Sequence, residues 1–125
     1  MAKRRYSWKL KRDAWLLDEA EWAEIAPLIS KGIEWIKAYR EREGVSLVDA
    51  KRAFPDRAGR RYAEMTGECL WSADEIYSVR MADYGAPCPE CGKPLRTTRA
   101  RICLECGNEL PDGKRALDFG RLEEF

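Results

Sequence analysis

Four of the five cysteines stand in two C-x-x-C pairs, Cys88 with Cys91 and Cys103 with Cys106, separated by eleven residues. Each pair offers two thiolates from one tight turn, and the chain between them is long enough to bring the second turn opposite the first. That is the donor set of a tetrahedral metal site. A glycine follows each pair, Gly92 and Gly107. Glycine there can take positive φ and turn backbone N–H groups toward the sulfurs, which stabilises thiolate charge.

Four thiolates with no fifth donor leave no coordination position for a catalytic water. They favour one structural Zn²⁺, with tetrahedral iron as the competitor. The chain contains no histidine, so a mixed Cys/His site is excluded. The knuckles Cys-Pro-Glu-Cys-Gly and Cys-Leu-Glu-Cys-Gly resemble those of zinc ribbons, small β-hairpin modules, over residues 87–110. The resemblance implies a zinc-bound hairpin. It does not choose a function, because ribbons serve in nucleic-acid binders, enzyme appendages and protein docking modules.

Charge separates the remaining readings. Net charge is +1, with 23 basic and 22 acidic residues, so no global field draws the protein to nucleic acid. Residues 1–12 nevertheless carry six basic side chains and no acid. Arg4, Arg5, Lys9, Lys11 and Arg12 from this stretch, with Arg96, Arg99 and Arg101 between the cysteine pairs, are the candidate contacts to nucleic acid or to a partner. Aromatics interleaved with the N-terminal charges could stack on single-stranded nucleic acid. The competing reading is an arm anchored to the body by one or two tryptophans. A metal with four thiolates carries a charge of −2, which the basic residues between the cysteines would offset.

The elements that must position these groups are helical. Asp18 with Glu21, Ser46 with Asp49, and Ser72 with Glu75 read as capping boxes. Asp56 caps a further helix that ends at Gly67, and the Ser72 box opens one that runs to Asp83. Pro27 should end or bend the first helix, so that a second starts near Ser30 and stops at Gly44. The expected fold is mainly α: about five helices over residues 18–85, then a zinc-ribbon β-hairpin over 86–110. A basic, aromatic arm over 1–17 precedes them and a tail over 111–125 follows. Within the arm, Tyr6, Trp8 and Leu10 alternate with Ser7, Lys9 and Lys11, as in a short edge strand.

Residues 36–51, a helix, the Gly44 turn and a second helix start, resemble the C-terminal domain of the bacterial ribosomal stalk protein. They are also similar to the N-terminal helical domain of elongation factor Ts. Both resemblances imply a helical surface that binds translation factors. The whole arrangement, a helical domain leading through Tyr84-Gly85-Ala86-Pro87 into the cysteine knuckles, resembles small bacterial proteins, some of them like the immunity partners of antibacterial toxins. That resemblance implies a protein inhibitor.

No catalytic machinery is legible. Histidine is absent, as are phosphate-binding glycine loops. Cys69, the remaining thiol, reads as a small buried apolar residue. The expectation is a non-enzyme that binds a protein partner, an immunity-type or antitoxin-like inhibitor of a toxin being the concrete form, with nucleic acid as the alternative. No small-molecule substrate is expected. No secretory signal or membrane span is read, which points to the cytoplasm.

Overall fold

The computed structural model describes residues 1–125, which form two compact units. One comprises Met1–Ala20 with Tyr77–Phe125, the other Glu21–Ile76. No helix is long and apolar enough to cross a membrane.

The first unit opens with a hairpin where the sequence suggested an extended arm. Strands β1 (Lys3–Ser7) and β2 (Arg12–Leu16) pair antiparallel, with Lys3 opposite Leu16 and Ser7 opposite Arg12. The connecting turn places Lys11 at φ 56°, a left-handed conformation taken here without a glycine. The apolar alternation predicted for Tyr6, Trp8 and Leu10 does not govern the strand. Ser7, Ala14 and Leu16 are the buried positions, and they share a face with Lys3 and Arg5. Those two bases reach past the core and donate to backbone carbonyls, Lys3 Nζ to Glu123 O (2.8 Å) and an Arg5 guanidinium nitrogen to Phe125 O (2.7 Å).

Past β2 the backbone continues pairing. Leu17 N–H donates to Val79 O (2.8 Å) and Met81 N–H to Leu17 O (2.9 Å). These bonds hold the backbone extended at Arg80, so the single helix expected from Ser72 to Asp83 does not form. Two 3-10 helices, Ala73–Ser78 and Met81–Asp83, take its place. Leu16, Met81, Tyr84 and Leu122 form the core beneath, with Trp8 packed against it.

The second unit holds the α-helices. Helix α1 runs from Glu19 to Glu43 straight through Pro27, so the predicted break there is corrected. Proline forfeits one hydrogen bond, to the carbonyl of Ala23, and both residues are exposed, where water can take its place. The two expected helices therefore merge, and three α-helices replace a count of about five. The other boundaries follow their caps. In α2 (Leu47–Ala53), Asp49 N–H donates to Ser46 Oγ (3.2 Å). In α3 (Arg57–Thr66), Gly59 N–H donates to Asp56 Oδ1 (2.9 Å), and Gly67 closes the helix at φ 78°. Phe54 lies over Gly32 so closely that a Cβ there would sit 2.8 Å from the ring, and Trp35 packs against both Phe54 and Tyr39.

Candidate metal centre

The two cysteine turns are built on the same three backbone hydrogen bonds. In the first, Cys88 N–H donates to Lys93 O, Gly92 N–H to Cys88 O and Leu95 N–H to Ala86 O, at 2.9, 2.9 and 3.0 Å. In the second, the same offsets link Cys103 to Asn108, Gly107 to Cys103 and Leu110 to Arg101, at 2.8, 2.7 and 2.9 Å. Gly92 and Gly107 supply the positive φ that closes each turn, 77° and 82°. The local sequence thus writes one knuckle twice. The β-hairpin expected over residues 86–110 is not present, since no strand occurs there. Each knuckle is closed by a single bridge, Pro87 with Pro94 and Ile102 with Glu109. Two prolines in the first pair and turns as tight as these leave no run of paired residues long enough for a ladder.

The knuckles face each other. All four sulfurs lie within 4.8 Å of one another. The closest approaches cross between the knuckles, Cys88 to Cys106 at 3.7 Å and Cys91 to Cys103 at 3.6 Å. A tetrahedron with metal–sulfur bonds of about 2.3 Å has edges of about 3.8 Å, whereas a disulfide requires about 2.05 Å. The spacing fits one tetrahedral ion and no disulfide. Cys88 and Cys103 are buried in a small cluster with Leu95, Leu110 and Ala116, while Cys91 and Cys106 are exposed.

The electrostatics favour thiolate at one corner. Burial works to raise the Cys88 thiol, but the Cys91 and Glu90 amides aimed at its sulfur outweigh it and hold it down to about 7. Asn108 Nδ2 adds a longer contact at 3.9 Å. Burial, opposed by the Lys93 amide, raises Cys91. At Cys106 the Asn108 amide works downward, yet burial and the three neighbouring thiols push it up to about 12. Four thiols this close cannot all ionise by themselves, and a dication supplies the compensating charge. An all-sulfur tetrahedral donor set suits zinc and leaves no open position for chemistry on a bound water.

The basic candidates lie in different settings. Arg5 faces inward toward Phe125, whereas Arg4 lies on the opposite, outer face of the hairpin. Lys9 is exposed in the turn, with its ammonium 5.9 Å from the Trp8 ring and 5.6 Å from that of Tyr84. Lys11 is exposed and Arg12 half-buried. Arg96 pairs with Glu105 (3.2 Å) and lies over Trp8 (4.8 Å), whose indole donates to Arg96 O (3.1 Å). Its charge is therefore met by a carboxylate within the knuckle rather than by the thiolates. Arg99 and Arg101 are exposed. Sequence reasoning missed Glu105, Asn108 and Lys93, the last of which sits 4.3 Å over the Tyr6 ring. Only the position of Glu105 and Asn108 within or just after a C-x-x-C turn could have signalled them. Cys69, expected buried, is exposed.

No protein-family model matches this chain, and no curated protein or solved structure is significantly similar to it.

Proposed function

We propose that this is a non-catalytic zinc protein whose cysteine knuckles hold a rigid surface for a protein partner. The observation that carries the reading is the second knuckle, where Ile102 and Leu104 stand 37% and 59% exposed on a turn fixed by two metal ligands. Apolar side chains held rigid lose little entropy on docking, which is what a binding surface requires. The concrete form is an immunity-type inhibitor of a toxin. Four of its acidic residues already have basic partners within the chain. Asp18 pairs with the Met1 amino group, Glu19 with Arg80, Glu24 with Arg61 and Asp74 with Lys51. The toxin would meet apolar surface instead.

A second reading, nucleic-acid binding, rests on Arg99 and Arg101, which are exposed and make no ion pair. Salt separates the two. A phosphate-driven complex loses about 0.9 log unit of affinity per log unit of salt for each neutralised phosphate. The test is retention of source-cell components on immobilised zinc-loaded chain, with nuclease, followed by reassembly from purified parts. One protein that rebinds stoichiometrically at 0.5 M salt supports the proposal. Retention of nucleic acid alone, abolished by nuclease, overturns it.

A further inference from the structure

The two knuckles share their hydrogen bonds but not their edges. In each closing bridge the flanking residues make the cross-bonds, so the bridged residues form a non-hydrogen-bonded antiparallel pair. In such a pair the N–H and C=O of both residues point away from each other, to the outside of the ladder. In the first knuckle both positions are proline, Pro87 and Pro94, which have no N–H to offer. In the second they are Ile102 and Glu109, and the main-chain groups of neither make a hydrogen bond within the chain.

We propose that Ile102 is a docking edge, at which an extended segment of a partner polypeptide adds as a short β-strand. This rests on the protein-binding reading above and names the surface and the partner's chemistry. An N–H and a C=O presented together call for an acceptor and a donor at matching spacing, which an extended main chain supplies. A nucleic-acid phosphate offers acceptors only and leaves Ile102 C=O unmet. Ile102 opens onto a hollow of about 310 Å³ that extends to Glu109 and the turn at Pro111, Gly113 and Lys114. Arg101 and Lys114 on its wall are balanced by Glu109 and Asp112, so the site carries no net charge to select an anion. The exposed Ile102 and Leu104 side chains, two apart in sequence, favour an apolar residue in the incoming strand.

The first knuckle supplies the test, because Pro87 holds the position equivalent to Ile102 on an identical hydrogen-bond pattern. Ile102→Pro therefore removes the docking N–H from a site whose backbone accepts proline. Displayed random nonapeptides would be selected on the zinc-loaded full chain, and the binders measured by calorimetry and by ¹⁵N amide spectra. The binders are expected to slow exchange of the Ile102 amide and to change little in affinity between 0.05 and 0.5 M salt. They should weaken about tenfold or more on Ile102→Pro. Pro87→Ala, at the equivalent position of the first knuckle and outside the hollow, should leave them intact, and zinc content checks that both variants fold. Binders that ignore Ile102→Pro, or leave the Ile102 amide unprotected, overturn the docking edge but not the protein-binding reading. A library that yields no binder contradicts both.

Discussion

Replacing Tyr84 by phenylalanine removes one oxygen and disconnects three segments of the first unit. Tyr84 and Ser7 are buried, at 1% and 0% exposure. Tyr84 O–H donates to Ser78 O (2.5 Å), and the Ser7 hydroxyl lies 2.5 Å from the same phenolic oxygen. Since the phenol has one proton, Ser7 must donate to it, and Ser7 Oγ in turn accepts from Leu10 N–H (3.2 Å). The chain of bonds runs from the hairpin turn to residue 78 with every member satisfied. Tyr84→Phe loses two of these bonds and leaves the Ser78 carbonyl and the Ser7 hydroxyl dry, at a cost of about 2–4 kcal/mol. Ser7→Ala leaves the Tyr84 to Ser78 bond in place and should cost about 1–2 kcal/mol. In the double variant the orphaned serine is gone, so the total should fall short of the sum by about 1 kcal/mol. Slow amide exchange at Leu17 and Met81, whose N–H groups tie the same unit together, reports these differences in zinc-loaded protein. Burial also raises the Tyr84 phenol. Its folded pKa lies above the unfolded one, so its contribution is complete below about pH 10 and is lost as pH rises through the raised value. Tyr84→Phe should flatten that alkaline decline. A cost below about 0.5 kcal/mol, or strict additivity in the cycle, would refute this account of the network.

Chelating the metal removes about 10–16 kcal/mol of binding energy, more than a small unit's whole stability. Amide signals from residues 86–116 should then collapse, while the ellipticity at 222 nm from α1, α2 and α3 largely persists. Equal loss of both would contradict the division into two units. Gly85→Ala would drive a Cβ into the Thr97 carbonyl oxygen and place it 2.8 Å from the Cβ of Ala116 and 3.0 Å from that of Leu95, so overpacking should cost about 3 kcal/mol, at the upper end for such changes, by urea denaturation of the zinc form. Hydrogen bonding from Arg80 lowers the Glu19 carboxyl, so the pair stabilises the fold above the ordinary carboxylate pKa and is lost as pH falls through the lowered value. Because both side chains are substantially exposed, Glu19→Gln should cost under about 1 kcal/mol at pH 7, and the difference should vanish once pH has fallen through that lowered value. A difference that persists after the carboxyl has titrated would show that the glutamine acts through packing instead.

Local signals were legible and distant ones were not. Ser46, Asp56, Gly44 and Gly67 act on backbone groups within a turn of themselves, so their caps could be read from the chain alone. The four cysteines were legible for the same reason, since each knuckle is a local turn and the donor chemistry does the rest. Pro27 misled because its cost depends on whether water reaches the freed carbonyl, which is a matter of exposure. The expected helix to Asp83 failed through a competitor some sixty residues upstream, Leu17, whose backbone pairs with residues 79–81. The hairpin was hidden because its inner face carries Lys3 and Arg5, whose partners at Glu123 and Phe125 stand 120 residues away. Basic residue types were visible in the sequence, but not that Arg5 and Arg96 are engaged within the fold.

The central claim is that the four sulfurs of the two knuckles hold one zinc ion. Native mass spectrometry of the purified chain, paired with thiol titration, tests it most directly. The account predicts one zinc per chain and a single fast-reacting thiol, Cys69, with all five reacting once chelator and denaturant are added. Cys88→Ser and Cys106→Ser should each lose the metal. A metal-free folded chain with five reactive thiols, or a stoichiometric iron with its visible absorption, would contradict it.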